Sequence, residues 1–307
     1  MPKRGNSTHR SDVMKTGFIG LGRMGIGIAQ RILGGGFDLA VWNRTAARAQ
    51  PLLTLGASST ASIRELAMQS DLLFTCLTGD EAILEIIEGE EGILAGLRPG
   101  AVHVCLMTIS PTCADTLERM HRAHGSHYVA GPVSGRPDAA AAGKLICYLA
   151  GPADAVQRAQ PVCAAFSSQV IAVSERPRAA NCLKLSINFT LCSIMEVLGE
   201  AYTFAGKCGV NTDLLNDWYQ MAFAHPALKT YANKIRARAF DTDIGYSMAG
   251  GLKDVRLMLS TAREVGVRLE TGELVEQKTR EAIEAGLSEV DWTGFTEITR
   301  RRAGGGD

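Results

Sequence analysis

The chain has no excess of charge of either sign. Its 307 residues include 32 Lys plus Arg and 32 Asp plus Glu, so the formal net charge is +0. A protein that attracts nucleic acid or an anionic membrane surface needs a basic surplus, which this composition does not supply. The composition therefore argues against nucleic acid as a partner and favours a small neutral or anionic ligand.

Long apolar runs are also missing. No uninterrupted stretch reaches the ~18 residues that a membrane-spanning helix needs, and the N-terminal residues lack the apolar segment of a secretory signal. None of the 8 cysteines forms a CxxC pair, so we interpret them as reduced core residues. These absences predict a cytoplasmic protein with no membrane partner. The polar, basic residues 1–14 are expected to form a flexible tail.

Strand-like and helix-like segments alternate from Lys15 onward. The strand-like segments read TGFIG, DLAVW, DLLFTCL, AVHVC, HYVAG and KLICYLAG. Alternation of this kind is typical of a doubly wound, mostly parallel α/β sheet. After the breaker Pro177 the pattern changes to long helices. We therefore predict an α/β domain over residues 15–176, joined by a long helix to an all-α domain over 177–307.

The first helix after the break has a continuous apolar stripe. Its positions, at spacings of about one helical turn, are Leu183, Ile187, Leu191, Ile194 and Leu198. This spacing predicts a helix that packs into a core.

A glycine-rich turn lies between the first strand and the first helix. It reads Gly20-Leu21-Gly22-Arg23-Met24-Gly25. In this context the glycines permit a tight turn, a close approach of pyrophosphate to the backbone, and close packing of helix on strand. The helix N-terminus adds unpaired N–H groups and positive dipole. The segment predicts dinucleotide binding; a glycine-rich turn without a ligand is the alternative.

The end of the second strand bears on which cofactor binds. NAD-binding sites place a carboxylate there to hold the ribose hydroxyls, whereas this chain has Asn43-Arg44-Thr45. An arginine can pair with a 2′-phosphate that a carboxylate would repel, so NADP(H) is favoured over NAD(H). Alternatively, Arg44 is an ordinary solvated loop residue.

Lys184 and Asn188 lie four residues apart and so project from one face of the long helix, beside its apolar stripe. A lysine in a dry cleft can have its pKa lowered and donate a proton to a carbonyl oxygen. By spacing alone, a lysine in this position more often extends to solvent.

Four motifs in order resemble those of the β-hydroxyacid dehydrogenase family, which includes 3-hydroxyisobutyrate dehydrogenase and the glyoxylate and succinic semialdehyde reductases. They are GFIGLGRMG, the segment AGPVSGR at 130–136, the Lys184/Asn188 spacing, and Lys253-Asp254-Val255. The resemblance extends over residues 15 to roughly 300. It implies a Rossmann domain, an all-α domain that mediates homo-oligomerisation as a dimer or tetramer, and a small-molecule carbonyl or hydroxy acid substrate.

The resemblance also implies roles for individual residues. Lys184 is expected to be the general acid and base, with Asn188 as its hydrogen-bonding partner. The expected cofactor contacts beyond the glycine-rich turn and residues 43–45 are Leu77, Thr78, Thr108 and Lys253. The expected substrate contacts are Ser134, Gly135, Arg136, Tyr246 and Asp254.

Several positions depart from the family pattern. Ala130, Arg136 and Ala180 replace the family's aspartate and two glycines, and Cys105 and Met107 replace an aspartate and a serine. Arg136 could clamp a carboxylate, close the usual carboxylate site by its bulk, or pair with Asp138. The substrate therefore cannot be read from the family motifs.

Three histidines, His121, His124 and His127, are spaced three residues apart, as in some metal sites. Gly125 is expected to end the helix between them, so we predict surface histidines and no metal. The sequence thus predicts an NADPH-dependent oxidoreductase that acts on a small oxo acid or semialdehyde. The alternatives are an imine reductase, whose family members usually lack the lysine, and a non-catalytic nucleotide-binding protein.

Overall fold

The computed structural model describes residues 14–304, so the tail predicted over 1–14 lies, except for Met14, outside the described residues. These residues form two compact units. The first comprises residues 14–107 and Thr112–Ala180, and the second comprises Thr108–Pro111 and residues 181–304.

The first unit is built on a nine-stranded sheet with the strand order β3-β2-β1-β4-β5-β6-β8-β7, and β9 also pairs with β8. The strands are β1 (Lys15–Ile19), β2 (Asp38–Trp42), β3 (Ser58–Ser59), β4 (Leu72–Thr75), β5 (Val102–Cys105), β6 (His127–Ala130), β7 (Val133–Ser134), β8 (Leu145–Ala150) and β9 (Ser167–Ser174). Strands β1 to β6 pair in parallel, and β8 runs antiparallel to β6 and β7 but parallel to β9.

Helices connect these strands and cover the sheet. They are α1 (Arg23–Gly34), α2 (Gln50–Thr54), α3 (Ile63–Gln69), α4 (Asp80–Ile87), α5 (Ile93–Gly96), α6 (Pro111–His124), α7 (Pro137–Ala141) and α8 (Ala153–Phe166). Stacked Phe18 and Phe74 lie in the core, with Phe166 edge-on to Phe74. The central strands β4 and β5 are buried along their whole length, as expected of parallel strands covered by helices on both faces.

The second unit is helical. Its helices are α9 (Arg178–Lys207), α10 (Thr212–Ala222), α11 (Pro226–Ala237), α12 (Met248–Glu264), α13 (Glu270–Glu284) and α14 (Glu297–Arg302). Among the described residues after β9, only an isolated bridge between Ser247 and Asp291 has β pairing. The predicted fold class, a mostly parallel α/β sheet followed by a helical domain with a long helix, is confirmed.

The buried face of α9 differs from the predicted one. The stripe residues Leu183, Ile187 and Leu191 are only half-buried, whereas Lys184 and Asn188 are each 8% exposed. The prediction that these two polar residues flank the buried face is wrong, because both lie on it, and Asn188 bonds the buried Asp254 there. Helix α9 is long and apolar enough to span a membrane by length and composition. The polar groups on its buried face are those of a core helix.

Candidate active site

Close packing of backbone shapes the glycine-rich turn between β1 and α1. Gly20 has φ +98, and a Cβ there would lie 2.4 Å from the Cys76 carbonyl oxygen. A Cβ on Gly25 would lie 1.9 Å from the Gly20 carbonyl oxygen. In contrast, a Cβ on Gly22 would meet nothing within 4 Å. Gly20 and Gly25 are therefore required by the fold itself, while Gly22 faces open space.

Helix α1 begins at Arg23 with Gly22 as its N-cap. No side chain caps this end, and its first turn, which includes Met24, contains no acidic residue. The positive end of the helix dipole is therefore not neutralised by a side chain of its own first turn, which suits an anionic group. The open space at Gly22 and this helix end fit the pyrophosphate of a dinucleotide.

Asn43 fixes this turn to the end of β2. Its Oδ1 accepts a hydrogen bond from the Leu21 N–H at 2.9 Å, and its Nδ2 donates to the Thr45 carbonyl oxygen at 2.8 Å. Arg44 and Thr45 are exposed. A neutral amide and an exposed guanidinium thus follow β2 where an NAD site would place a carboxylate.

Leu77 and Thr78 follow β4 beside the same turn. The Cys76 N–H donates to the Ile19 carbonyl oxygen at 2.9 Å, which holds this segment against the end of β1. A Cβ on Gly20 would also lie 2.8 Å from Cδ2 of Leu77. Leu77 therefore borders the glycine-rich turn; it is half-buried, and the next residue, Thr78, is exposed.

Ser134 ends β7, and Gly135 and Arg136 connect it to α7. These three residues, the last of the AGPVSGR segment, are here called the AGPVSGR loop. Ser134 pairs with Ile146 of β8, and Arg136 is the N-cap of α7 in an extended conformation. Gly135 has φ +134, and a Cβ there would lie 2.5 Å from Cδ2 of Leu145. The loop shape therefore requires glycine at 135.

In the second unit, the buried carboxylate of Asp254 contacts three of the predicted site residues. Its Oδ2 accepts hydrogen bonds from Asn188 Nδ2 and Tyr246 Oη, each at 2.8 Å. Its Oδ1 lies 2.7 Å from the ammonium of Lys253. Lys253 also donates to the carbonyl oxygen of Thr108 at 2.9 Å. Asp254, which is 1% exposed, therefore fixes the positions of these side chains.

Lys184 lies one helical turn before Asn188 on α9. Burial lowers its pKa from the ordinary 10.5 to about 8; the carboxylate of Asp254 opposes this effect and the ammonium of Lys253 adds to it. An amine with such a pKa exchanges a proton readily near neutral pH, which is the property of a general acid or base. The phenol pKa of Tyr246 is raised well above 10, chiefly by burial and also by Asp254. Tyr246 is therefore a hydrogen-bond donor at neutral pH.

A buried lysine that the sequence did not single out holds the segment before Tyr246. Lys234 is 7% exposed. Its ammonium donates to three main-chain carbonyl oxygens, those of Ala239, Thr242 and Asp243. The Asp291 carboxylate lies 3.9 Å from this ammonium and accepts from the N–H of Gly245 at 3.0 Å. The sequence does not predict this arrangement, because the ammonium of a lysine on a helix normally extends to solvent.

A buried chain of side-chain hydrogen bonds in the first unit includes two histidines. His103 Nε2 bonds Thr75 Oγ1, His103 Nδ1 bonds His121 Nε2, and His121 Nδ1 bonds Ser126 Oγ, each at 2.9 Å. The expectation that His121 lies on the surface is wrong, because it is 0% exposed and packs beneath Tyr128. Burial lowers the pKa of His103 to about 3 and that of His121 well below 6.5. Both rings are therefore neutral at physiological pH.

Among residues 14–304, no group of three or more His, Cys, Asp or Glu side chains is arranged to hold a metal ion. All 8 cysteines are free thiols, and Cys208 is exposed, contrary to the expectation of core cysteines throughout.

Two family models together match most of the chain. One, described as the NAD binding domain of 6-phosphogluconate dehydrogenase, matches residues 15–174. The other, described as NAD-binding of NADP-dependent 3-hydroxyisobutyrate dehydrogenase, matches residues 179–298. The chain belongs to the β-hydroxyacid dehydrogenase family. As a β-hydroxyacid dehydrogenase, it is an NAD(P)-dependent oxidoreductase that acts on CH–OH groups.

Relatives agree with this assignment. The uncharacterized oxidoreductase YfjR of Bacillus subtilis (strain 168) is 36% identical over 94% of this chain and 100% of its own length. The chloroplastic glyoxylate/succinic semialdehyde reductase 2 of Arabidopsis thaliana is 26% identical over 92% of this chain and 79% of its own.

Solved structures share the fold. The 3-hydroxyisobutyrate dehydrogenase (ygbJ) of Salmonella typhimurium has a TM-score of 0.82 at 23% identity, covering 93% of this chain and 99% of that one. Psf3 in complex with NADP+ and 2-OPP has a TM-score of 0.79 at 26% identity, covering 92% and 99%. An imine reductase of Streptomyces aurantiacus has a TM-score of 0.63 at 22% identity, covering 93% and 99%.

Proposed function

We propose that this β-hydroxyacid dehydrogenase uses NADPH to reduce a small 2- or 3-oxo acid or a semialdehyde, with Lys184 as general acid, and catalyses the reverse oxidation with Lys184 as general base. The observation that carries the proposal is a lysine 8% exposed, with its pKa lowered to about 8, on the helical turn next to Asn188. Names of relatives support the substrate class: glyoxylate, succinic semialdehyde and 3-hydroxyisobutyrate.

The cofactor proposal starts from the glycine-rich turn. When bound, NADP(H) supplies or accepts the hydride. Residues 20–25 would hold its pyrophosphate, because the space at Gly22 is open and the α1 N-terminus faces no acid of its own first turn. Arg44 would pair with the 2′-phosphate, while the neutral Asn43 does not repel it. Leu77, Thr78 and the Lys253–Thr108 pair would provide further contacts.

The proposed proton step uses only Lys184. In reduction, Lys184 Nζ donates its proton to the substrate oxygen while the carbonyl carbon receives hydride, which leaves a neutral amine and a hydroxyl group. In oxidation, the neutral amine removes the hydroxyl proton. Because burial favours the neutral amine, both states are accessible near pH 8.

Asp254 and the AGPVSGR loop have separate proposed roles. Asp254 Oδ2 already accepts from Asn188 and Tyr246, and Oδ1 forms an ion pair with Lys253, so Asp254 positions these side chains. Ser134, Gly135 and Arg136 would recognise the substrate carboxylate, and Tyr246, whose phenol proton bonds Asp254, would line the substrate pocket.

The test is NADPH consumption over a panel of small oxo acids, semialdehydes and cyclic imines, followed by a lysine substitution. Lys184→Met should lower kcat by about 100- to 10,000-fold, the range typical of a lost general acid, while NADPH binding is retained. Lys207→Met removes an exposed lysine at the other end of the same helix and serves as the matched control. An unchanged rate in Lys184→Met would eliminate the mechanism, and turnover confined to imines would assign the imine reductase alternative.

We also infer that a second copy of the chain covers an apolar surface on α9 and α10 and that the enzyme works as a homo-oligomer in the cytoplasm, where its thiols stay reduced. The surface residues are more than half exposed: Val197, Phe204, Leu214, Trp218 and Met221. Val197 and Phe204 share one face of α9 by their spacing, and Leu214, Trp218 and Met221 share one face of α10. Exposed rows of large apolar side chains mark association surfaces. Light scattering should give a multiple of the 32.8 kDa chain mass; a monomer at micromolar concentration would contradict the inference.

A further inference from the structure

Asn181 extends the row of buried polar side chains on α9. It precedes Lys184 by three residues and Asn188 by seven, so the three side chains lie on one face over two helical turns. Asn181 is 1% exposed, and Lys184 and Asn188 are each 8% exposed. A helix that buries three polar residues in one row presents a polar surface to whatever occupies that face.

The members of this row differ in how their hydrogen-bonding groups are used. Asn188 donates to Asp254 at 2.8 Å. For Asn181, neither the Nδ2 nor the Oδ1 atom has a hydrogen-bond partner among residues 14–304. A buried carboxamide without partners is costly, and folded proteins rarely keep one unless a water, an ion or a ligand completes it.

A second buried asparagine in the same unit shows the ordinary arrangement. Asn216, on α10, is 8% exposed. Its Oδ1 accepts from Tyr202 Oη at 2.9 Å and its Nδ2 donates to Asn233 Oδ1 at 3.0 Å. The carboxamide of Asn216 thus has hydrogen-bond partners on both of its polar atoms within the helical unit, whereas that of Asn181 has none among the described residues.

We propose that Asn181 is a substrate-binding residue, whose Nδ2 donates to a carboxylate oxygen of the ligand and whose Oδ1 accepts from a ligand hydroxyl while protonated Lys184 donates to the oxygen of that hydroxyl. The proposal rests on the proposed function, in which the ligand next to Lys184 is a small oxo acid or its hydroxy acid. A hydroxy acid offers both complementary groups, whereas an oxo acid offers only acceptors. Asn181 therefore favours ligands that contain a carboxylate and binds the hydroxy acid with one hydrogen bond more.

The experiment compares Asn181→Leu with Asn216→Leu. Both replace a buried helical asparagine by a side chain of similar size, so the gain in helix propensity is common to both. Asn181→Leu should raise the midpoint of thermal unfolding by roughly 2 °C, since no internal hydrogen bond is lost. Asn216→Leu should lower it, because Tyr202 loses its acceptor and Asn233 loses one of its two donors. A fall in Asn181→Leu as large as in Asn216→Leu would overturn the proposal.

Ligand binding is measured without turnover, by calorimetric titration of small 2- and 3-hydroxy acids into protein saturated with NADPH, where no hydride can be transferred to the ligand. The hydroxy acid that binds the wild type best should bind Asn181→Leu about 10- to 100-fold more weakly, the loss expected for one or two hydrogen bonds. NADPH affinity should stay within about twofold. Equal hydroxy acid affinity, no hydroxy acid binding to the wild type, or a loss confined to NADPH would each overturn the assignment.

The two proposals fail in different ways. If the wild type binds a hydroxy acid through Asn181 but reduces no oxo acid or semialdehyde, the proposed reaction is wrong and the Asn181 assignment stands. If turnover is found and its KM is unchanged in Asn181→Leu, the reaction stands and the Asn181 assignment is wrong.

Discussion

Replacing Asp254 by asparagine should move the pH dependence of reduction to lower pH. The substitution keeps the side-chain shape but removes the negative charge that raises the pKa of Lys184, so burial and Lys253 act on the lysine without opposition. In the wild type the pKa falls from 10.5 to about 8, which corresponds to about 3 kcal/mol in favour of the neutral amine. In Asp254→Asn it should fall further, by about one pH unit or more, as is typical of a lost neighbouring charge.

The sign and size of the rate effect follow from the protonated fraction. A general acid must be protonated, so kcat for reduction should be constant at low pH and fall above about pH 8 in the wild type. If the pKa drops by one, the protonated fraction decreases about 1.8-fold at pH 7 but about eightfold at pH 8.5. The ratio of wild-type to variant kcat should therefore grow with pH.

The assay is initial-rate NADPH oxidation at saturating substrate between pH 6 and 10. Lys253→Met provides a control of opposite sign, because removing a neighbouring ammonium should shift the fall in kcat to higher pH. Each variant is also checked by thermal unfolding. If the pH above which kcat falls is unchanged in Asp254→Asn, the role of Lys184 as the titrating acid is refuted. A shift of this pH in the same direction in both variants would refute it as well.

Three further outcomes are expected. Arg44→Ala should weaken NADPH binding by about 10- to 100-fold while NADH binding changes less than about twofold; equal losses would remove the 2′-phosphate assignment. Gly22→Ala should fold normally but bind NADPH at least about tenfold more weakly. Gly25→Ala should instead lose thermal stability, since its Cβ would lie 1.9 Å from the Gly20 carbonyl oxygen. An unchanged NADPH affinity in Gly22→Ala would contradict the proposed pyrophosphate position. Finally, because the pKa of His103 in the fold is about 3, the unfolded chain binds the proton more tightly, and stability present above pH 6.5 is lost as pH falls. In urea unfolding, His103→Asn should reduce this loss of the free energy of unfolding by up to about 1.4 kcal/mol per pH unit between pH 6 and 4. If the free energy of unfolding depends on pH equally in the wild type and the variant, the ring does not titrate this way.

Local patterns predicted the elements well. The alternation of β and α segments gave the sheet, and the helical periods after Pro177 gave the helical unit. Strand β9, SSQVIAVS, was missed because its exposed edge residues follow no regular alternation. The face of α9 was misassigned because apolar residues occur on both sides of this helix, and periodicity cannot say which side is covered.

The sequence does not predict which residues distant in the chain contact each other in the fold. The sequence predicts Asn188 as a partner of Lys184, but it does not show that Asn188 Nδ2 donates to Asp254, 66 residues away. The His103–His121 contact joins a strand to a helix, and nothing in the sequence relates these two histidines to each other. Asn181 was overlooked for a different reason: its spacing from Lys184 was visible, but only burial without partners makes an asparagine notable.

The ammonium of Lys234 holds the residues before Tyr246 through hydrogen bonds to their main-chain carbonyl oxygens. Hydrogen bonds to main-chain oxygens do not depend on which side chains residues 239–243 carry. Ala239 and Thr242 can therefore be replaced without loss of these hydrogen bonds, whereas Phe240, which is 7% exposed, is constrained by packing. The main-chain path that leads to Tyr246 is thus tolerant of substitution at positions 239 and 242.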